Sequence, residues 1–199
     1  MISFSYNDSD FQFMVFMVEE VHLMSLINKE VSDFTAKAFH NNGFITVTKE
    51  DLLGKWSVFF FYPADFTFVC PTELADLESF YEEFKKIGCE IYSVSCDTEF
   101  VHKAWHDHSP LIKDITYPMM ADPTHALARD FEVLIEDAGV AERGTFIINP
   151  EGQIVSYEVN AGNVGRNAEE LLRKVQVASS SVNTATKCAR LAGHRVLRL

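Results

Sequence analysis

At 199 residues the chain is long enough for one domain with a sizeable core, and 47% hydrophobic content with 13% aromatic argues against a disordered chain. A formal net charge of −12 argues against nucleic acid as a partner, and no apolar run approaches the length of a membrane span. Four cysteines (Cys70, Cys89, Cys96 and Cys188), none in a C-x-x-C pair, are too few and too irregular for a disulfide scaffold, so a reducing cytoplasmic setting is expected.

Residues 1–23 differ in character from the rest of the chain. Phe11 to Val18 is apolar and uncharged, a β-aggregation hazard if exposed. The start has neither the basic stretch nor the small-residue cleavage site of a secretory signal. Val18-Glu19-Glu20 can be encoded by GTG-GAG-GAA, a purine-rich stretch of ribosome-binding type just ahead of Met24. Residues 1–23 are therefore expected to be a non-native or disordered extension, upstream sequence read as protein.

From Asp33 the chain reads as short strands and turns, with Asn41-Asn42-Gly43 a hairpin turn and Ile45 to Val47 a strand. Val58 to Phe61 is a continuous apolar run, the signature of a strand buried on both faces. The run breaks at Pro63, turns, and meets Cys70-Pro71; proline is favoured in the first turn of a helix, where its missing N–H costs nothing. Leu74, Leu77, Tyr81 and Phe84 then recur at helical spacing, which predicts a helix ending at Gly88. Glu90 to Ser95 is the next strand, and Thr98 can cap a helix carrying Val101, Ala104 and Trp105. Tyr117 to Met120 is strand-like, and Asp122-Pro123-Thr124 opens another helix. Gly144 to Ile148, the turn Asn149 to Gly152, and Ile154 to Val159 make a β-hairpin. Asn167 caps a last helix with Leu171, Leu172 and Val175 inward. Strands alternating with helices and closed by a hairpin predict an α/β fold with a central mixed sheet flanked by helices.

Cys70 thus falls where a buried strand hands over to a helix N-terminus, whose open amides and positive dipole end favour a thiolate over a thiol. That marks Cys70 as a nucleophile candidate; the plain alternative is a buried structural cysteine. Pro63, Thr67 and Cys70 form P-x-x-x-T-x-x-C, followed by Pro71 and Glu73. The motif resembles the peroxiredoxin active site, and the string from Phe59 to Leu74 is similar to the alkyl hydroperoxide reductase C type, a typical two-cysteine peroxiredoxin. Met24-Ser25-Leu26-Ile27-Asn28 also resembles a common start in that family, and the likeness runs from about Met24 to about Gln176.

The resemblance implies a thioredoxin-like fold over residues 24–177 and a peroxidatic role for Cys70, whose thiolate would attack a peroxide O–O bond and become a sulfenic acid. Thr67 could place its hydroxyl beside the sulfur in the first helical turn, or serve as a cap. Pro63 would shield the sulfur and fix the loop. Arg143, in Ala-Glu-Arg-Gly-Thr-Phe, matches the family's distant active-site arginine; by itself it would read as a solvated strand-edge charge. Glu73 matches a residue that orients active-site arginines, and Trp105 reads mainly as packing. His102 and His106 have the i, i+4 spacing of a zinc pair, but Lys103 stands where a metalloprotease needs glutamate, so a surface or core pair is expected and no metal. Cys89 and Cys96 are expected to be buried, inert thiols. Gly162 to Gly165 is too short for a phosphate cradle and reads as a loop.

Beyond that the likeness fails. In the family the C-terminal arm carries a resolving cysteine within Val-Cys-Pro, which attacks the partner subunit's sulfenic acid, and a flavoprotein disulfide reductase recycles the disulfide with NADH or NADPH. Here Cys188 falls within about a residue of that position but has no following proline. After Leu172 there are six basic residues and no acidic one, leaving 11 basic and 29 acidic residues before it. Val182 to Arg190, back-translated as GTG-AAC-ACG-GCG-ACG-AAG-TGT-GCC-CGG, encodes EHGDEVCP in another frame. A frameshift near Val177 to Ser181 is expected, making residues 178–199 an atypical, poorly ordered tail and Cys188 a weak candidate for resolution.

The expected function is thiol-specific reduction of hydrogen peroxide and organic hydroperoxides in antioxidant defence, with no bound metal or prosthetic group. The expected partners are a flavoprotein disulfide reductase and a second copy in a homodimer, which in the family can build a ring of dimers. A thioredoxin-like disulfide exchanger would need a cysteine where Glu73 stands. A redox-dependent holdase or peroxide sensor is the alternative from another class.

Overall fold

The sheet is built around the apolar run Val58 to Phe61, which lies in β3 (Trp56–Phe61), all six residues of which are buried. The computed structural model describes residues 25–180; the extension 1–23, most of the tail and Cys188 lie outside the described residues. β1 (Thr35–His40) and β2 (Gly43–Thr48) form the expected hairpin, with Asn41 and Asn42 both at positive φ. Asparagine tolerates that region, and a two-residue turn with both φ positive matches the twist of the strands it joins. The remaining main-sheet strands are β4 (Cys89–Ser95), β5 (Met119–Ala121), β8 (Arg143–Ile148) and β9 (Ile154–Asn160). Their order is β2-β1-β5-β4-β3-β8-β9. β3, β4 and β5 run parallel and the outer pairings are antiparallel, so the sheet is mixed, as predicted.

Alternation along β3 divides the interior in two. Trp56, Val58 and Phe60 face one core layer, which they share with Cys70, Leu74, Leu77 and Trp105; Phe59 and Phe61 face the other, with Phe131 and Phe146. A strand covered on both sides therefore reads as an unbroken apolar run.

Three local predictions change, and one small ribbon is unforeseen. The helix expected from Cys70 to Gly88 is two, α1 (Cys70–Ser79) and α2 (Tyr81–Lys86), separated at Phe80, whose N–H reaches back only to Leu77 O at 3.2 Å. Both helices bury the same face, so apolar spacing carries across the break unnoticed. The strand expected from Tyr117 begins at Met119, because Pro118 has no N–H for a ladder. Asp122-Pro123-Thr124 does not open a helix directly. It forms a turn ahead of α4 (Ala126–Asp130), and the Asp122 carboxylate accepts from Ala128 N–H at 2.7 Å. The two-residue strands β6 (Leu134–Ile135) and β7 (Val140–Ala141) form a separate ribbon too short to show a period.

The other helices match expectation. α3 (Glu99–His108) is capped by Thr98 Oγ1, which accepts from Val101 N–H. In the last helix, α5 (168–180), Asn167 Oδ1 accepts from Glu170 N–H at 2.8 Å, and Leu171, Leu172 and Val175 are buried. α5 runs past the expected boundary at 177, and Ala178 packs on the core.

Gly144 allows β8 to lie where it does. A Cβ there would stand 2.7 Å from Val133 Cγ1 and 2.8 Å from Phe146 Cε2, closer than packed carbons approach. Gly144→Ala is expected to destabilise the fold by about 1–3 kcal/mol through overpacking, read as a lowered urea midpoint.

Candidate active site

β3 runs parallel to β4 and antiparallel to β8, with Phe60 opposite Thr145. The C-terminal end of β3, where the chain turns toward Cys70, therefore lies beside the N-terminal end of β8, where Arg143 stands. β9 pairs Asn160 with Arg143, so the loop after β9 emerges at the same edge. Three separate stretches of chain meet there by strand pairing alone.

Cys70 is the first residue of α1, with Pro71 in the first turn, and is fully buried. Arg143 Nη1 donates to Cys70 Sγ at 3.4 Å and also to Glu73 Oε2, while Arg143 Nε donates to Gly162 O at 2.9 Å. Glu73 is three residues after Cys70, so the two share a helix face.

Arg166, which sequence reasoning missed, completes the cluster. Its Nε and backbone N–H donate to Glu73 Oε1 at 3.0 and 2.8 Å, and its Nη1 donates to Gly144 O and Thr145 Oγ1. The guanidinium lies 3.4 Å from the Phe60 ring centroid, a cation–π contact. Burial pulls the Arg166 pKa down and Glu73 opposes that pull. In the sequence Arg166 is one basic residue after an unremarkable loop; only the pairing implied by Glu73 hinted at a second arginine. The side chains of Arg143, Arg166 and Glu73 are all under 5% exposed. Two guanidinium groups share one carboxylate, which leaves one unit of positive charge beside the sulfur.

Thr67 lies in the loop ahead of α1 rather than in its first turn. Its hydroxyl donates to Ala64 O at 2.9 Å and makes no hydrogen bond to Cys70 Sγ. Pro63 is half-buried just after β3. Trp105 is buried, its ring 6.1 Å from that of Tyr62 and 6.0 Å from that of Phe66. Val69 precedes Cys70 and gives no side-chain cap. The Gly162 loop does more than connect, since its carbonyl anchors Arg143.

The other candidates separate from this cluster. His102 is fully buried and His106 half-buried; among the described residues no group of three His, Cys, Asp or Glu side chains is placed to hold a metal ion. Cys89 is buried, and its pKa is pushed far up by that burial. Cys96 is only half-buried; desolvation, with Asp122 and Asp97 nearby, pushes its pKa up to about 11.

A buried cysteine opening a helix, just beyond the C-terminal end of an interior strand of a mixed sheet and bonded to an arginine, defines a thiol redox protein of thioredoxin-like architecture. Residues 27–157 match the AhpC/TSA family, and the chain belongs to that family. It is 59% identical over 155 residues to alkyl hydroperoxide reductase C of Bacillus subtilis, covering 78% of this chain and 83% of that protein. The corresponding Staphylococcus aureus protein is 56% identical over 157 residues, with the same coverage. The crystal structure of Enterococcus faecalis AhpC superposes with a TM-score of 0.80 at 52% identity, covering 80% of this chain and 96% of that one. The reduced 2-Cys peroxiredoxin of Plasmodium vivax gives a TM-score of 0.76 at 30% identity, covering 80% of this chain and 84% of that one.

Two outcomes are expected. Glu73→Gln leaves two buried guanidinium groups without their shared carboxylate and should cost about 3–5 kcal/mol in chemical unfolding. For Cys96 the thiolate is the reactive form. Alkylation by iodoacetamide, followed by peptide mass spectrometry, should therefore rise about tenfold per pH unit toward pH 11. Since the folded state holds that proton more tightly than the ordinary value of 9.0, its contribution to stability is complete below pH 9 and lost by about pH 11.

Proposed function

We propose that the protein is a thiol peroxidase that reduces hydrogen peroxide and organic hydroperoxides at Cys70. The observation that carries this reading is the Arg143 guanidinium, 3.4 Å from Cys70 Sγ and held in place by Glu73. A donor fixed there can stabilise charge wherever it develops, on the sulfur before reaction and on the departing oxygen during it. The Cys70 thiolate attacks the terminal oxygen of R–O–O–H. An S–O bond forms and the O–O bond breaks, its electron pair leaving with the R–O oxygen. That oxygen takes a proton from solvent and departs as water or alcohol, and Cys70 becomes a sulfenic acid. The sulfur is oxidised and the peroxide reduced; the step requires no metal or prosthetic group.

Thr67 and Pro63 shape the loop ahead of the thiol in this scheme, Thr67 through its bond to Ala64 O. Cys188 is the candidate resolving thiol. Because Cys70 is fully buried, the start of α1 must move before a second cysteine can reach it. A flavoprotein disulfide reductase using NADH or NADPH would return the disulfide to thiols. A homodimer, which in the family can build a ring of dimers, and a cytoplasmic setting complete the proposal. No helix among the described residues is long and apolar enough to cross a membrane.

Peptide and intact mass spectrometry after one equivalent of hydrogen peroxide, without reductant, tests the reading. Wild-type Cys70 should be oxidised, Cys70→Ser should consume no peroxide, and Arg143→Ala should slow oxidation by roughly 10²-fold. A Cys70–Cys188 linked dimer would show that resolution proceeds. Cys70 untouched by peroxide would refute the peroxidase itself.

A further inference from the structure

We propose that His102 is a positioning residue for Cys70, acting through Asp65 to hold the loop of residues 62–69 in the shape that presents the sulfur to Arg143. The loop joins the end of β3 to the start of α1, and one buried network ties it down. Tyr62 Oη donates to Asp65 Oδ1 at 2.7 Å, and His102 Nδ1 meets Asp65 Oδ2 at 2.8 Å. On the far side His102 Nε2 lies 3.1 Å from Met120 O. Tyr62 and His102 are fully buried and Asp65 is 7% exposed. Asp65 Oδ2 faces one ring nitrogen of His102 and Met120 O the other, so the imidazole is held at both ends. The backbone is held as well: Asp65 N–H donates to Asp97 Oδ2 at 2.9 Å, and Ser95 Oγ donates to the same oxygen at 2.9 Å.

The network reaches the thiol by short steps. Phe66, immediately after Asp65, has φ +56, a conformation a bulky residue keeps only when its surroundings impose it. Its ring packs on Trp105, which shares the His102 helix and also packs on Tyr62. Thr67 Oγ1 closes the turn on Ala64 O, and three residues later the chain enters α1 at Cys70. The polar partners of His102 are Tyr62, Asp65 and Met120 O, none of them a member of the arginine cluster. Its hydrogen bonds to the loop are those to Asp65 and, at 3.5 Å, to Tyr62 Oη, so Asp65 is its shortest link toward the thiol.

The inference takes Cys70 as the reacting thiol of the preceding subsection, so one measurement uses peroxide and the other does not. The first is the second-order rate of Cys70 oxidation by hydrogen peroxide. The second is hydrogen–deuterium exchange of the backbone amides of residues 62–70 in reduced protein. In His102→Ala, oxidation should slow by about tenfold or more and exchange of the loop should quicken by a similar factor, with other core peptides unchanged. Added imidazole, filling the vacated site, should return both toward wild type. Tyr62→Phe removes one hydroxyl bond and keeps the His102–Asp65 pair; it should move both readings the same way by a smaller factor. A folded His102→Ala protein with both rates unchanged would overturn the proposal, as would changes that imidazole does not reverse. If His102→Ala does not fold, His102→Gln, which can keep a donor toward Met120 O and gives up the bond to Asp65, decides: shifted rates sustain the role and unchanged rates refute it. A wild-type chain inert to peroxide would remove the proposed activity, and the exchange measurement would still decide the positioning role.

Discussion

Two buried guanidinium groups share one carboxylate beside a sulfur, and the site depends on that imbalance. Arg143 and Arg166 remain cationic in protein interiors, and Glu73 offsets only one of them. Burying an uncompensated charge is costly. Here the remaining positive charge faces Cys70, whose sulfur accepts from Arg143 Nη1 at 3.4 Å. Both guanidinium groups are tied down: Arg143 on Cys70, Glu73 and Gly162, and Arg166 on Glu73, Gly144 and Thr145. The hydrogen bonds hold the arginines in place, so little reorganisation is needed when charge moves.

The mixed sheet makes the cluster possible. A parallel neighbour would bring the wrong end of its strand to the exit of β3. Antiparallel pairing of β8 with β3, and of β9 with β8, delivers Arg143 and the loop that ends in Arg166 to the start of α1. The helices are then bound to one another through side chains. Asp76 of α1 accepts from Ala168 N–H at the start of α5, and Tyr117 Oη donates to Leu74 O inside α1. These bonds orient the helix whose first residue is the thiol.

The loop between β3 and α1 combines strain with restraint. The left-handed conformation at Phe66 costs about 1–3 kcal/mol for a residue of that size. The bonds from Tyr62, His102 and Asp97 to Asp65 lie next to it in the chain, where they oppose relaxation. Strain and restraint thus fall on the same short loop, directly ahead of a fully buried thiol.

Local chemistry was legible in the chain itself. The apolar run of β3, Pro71 at a helix start, the Asn41-Asn42 turn and the caps at Thr98 and Asn167 are each decided by residues within a few positions, where propensity and period act. Cys70, Thr67 and Pro63 stand in one contiguous motif, and Glu73 is one helical turn beyond the thiol. The break at Phe80 and the late start of β5 escaped because burial continues through both points while the backbone geometry changes. Arg166 escaped for a different reason: nothing beside it in sequence distinguishes it from a solvated arginine. Only the antiparallel ladder brings it to Glu73, and only burial of the pair makes its charge consequential. His102 likewise read as a core or surface histidine until folding placed a carboxylate on one side and a carbonyl on the other. The sequence by itself determined the candidate nucleophile and most of the elements around it. Tertiary structure alone decided which distant charges surround it, because electrostatic partners in a low-dielectric site are chosen by strand pairing and not by proximity along the chain.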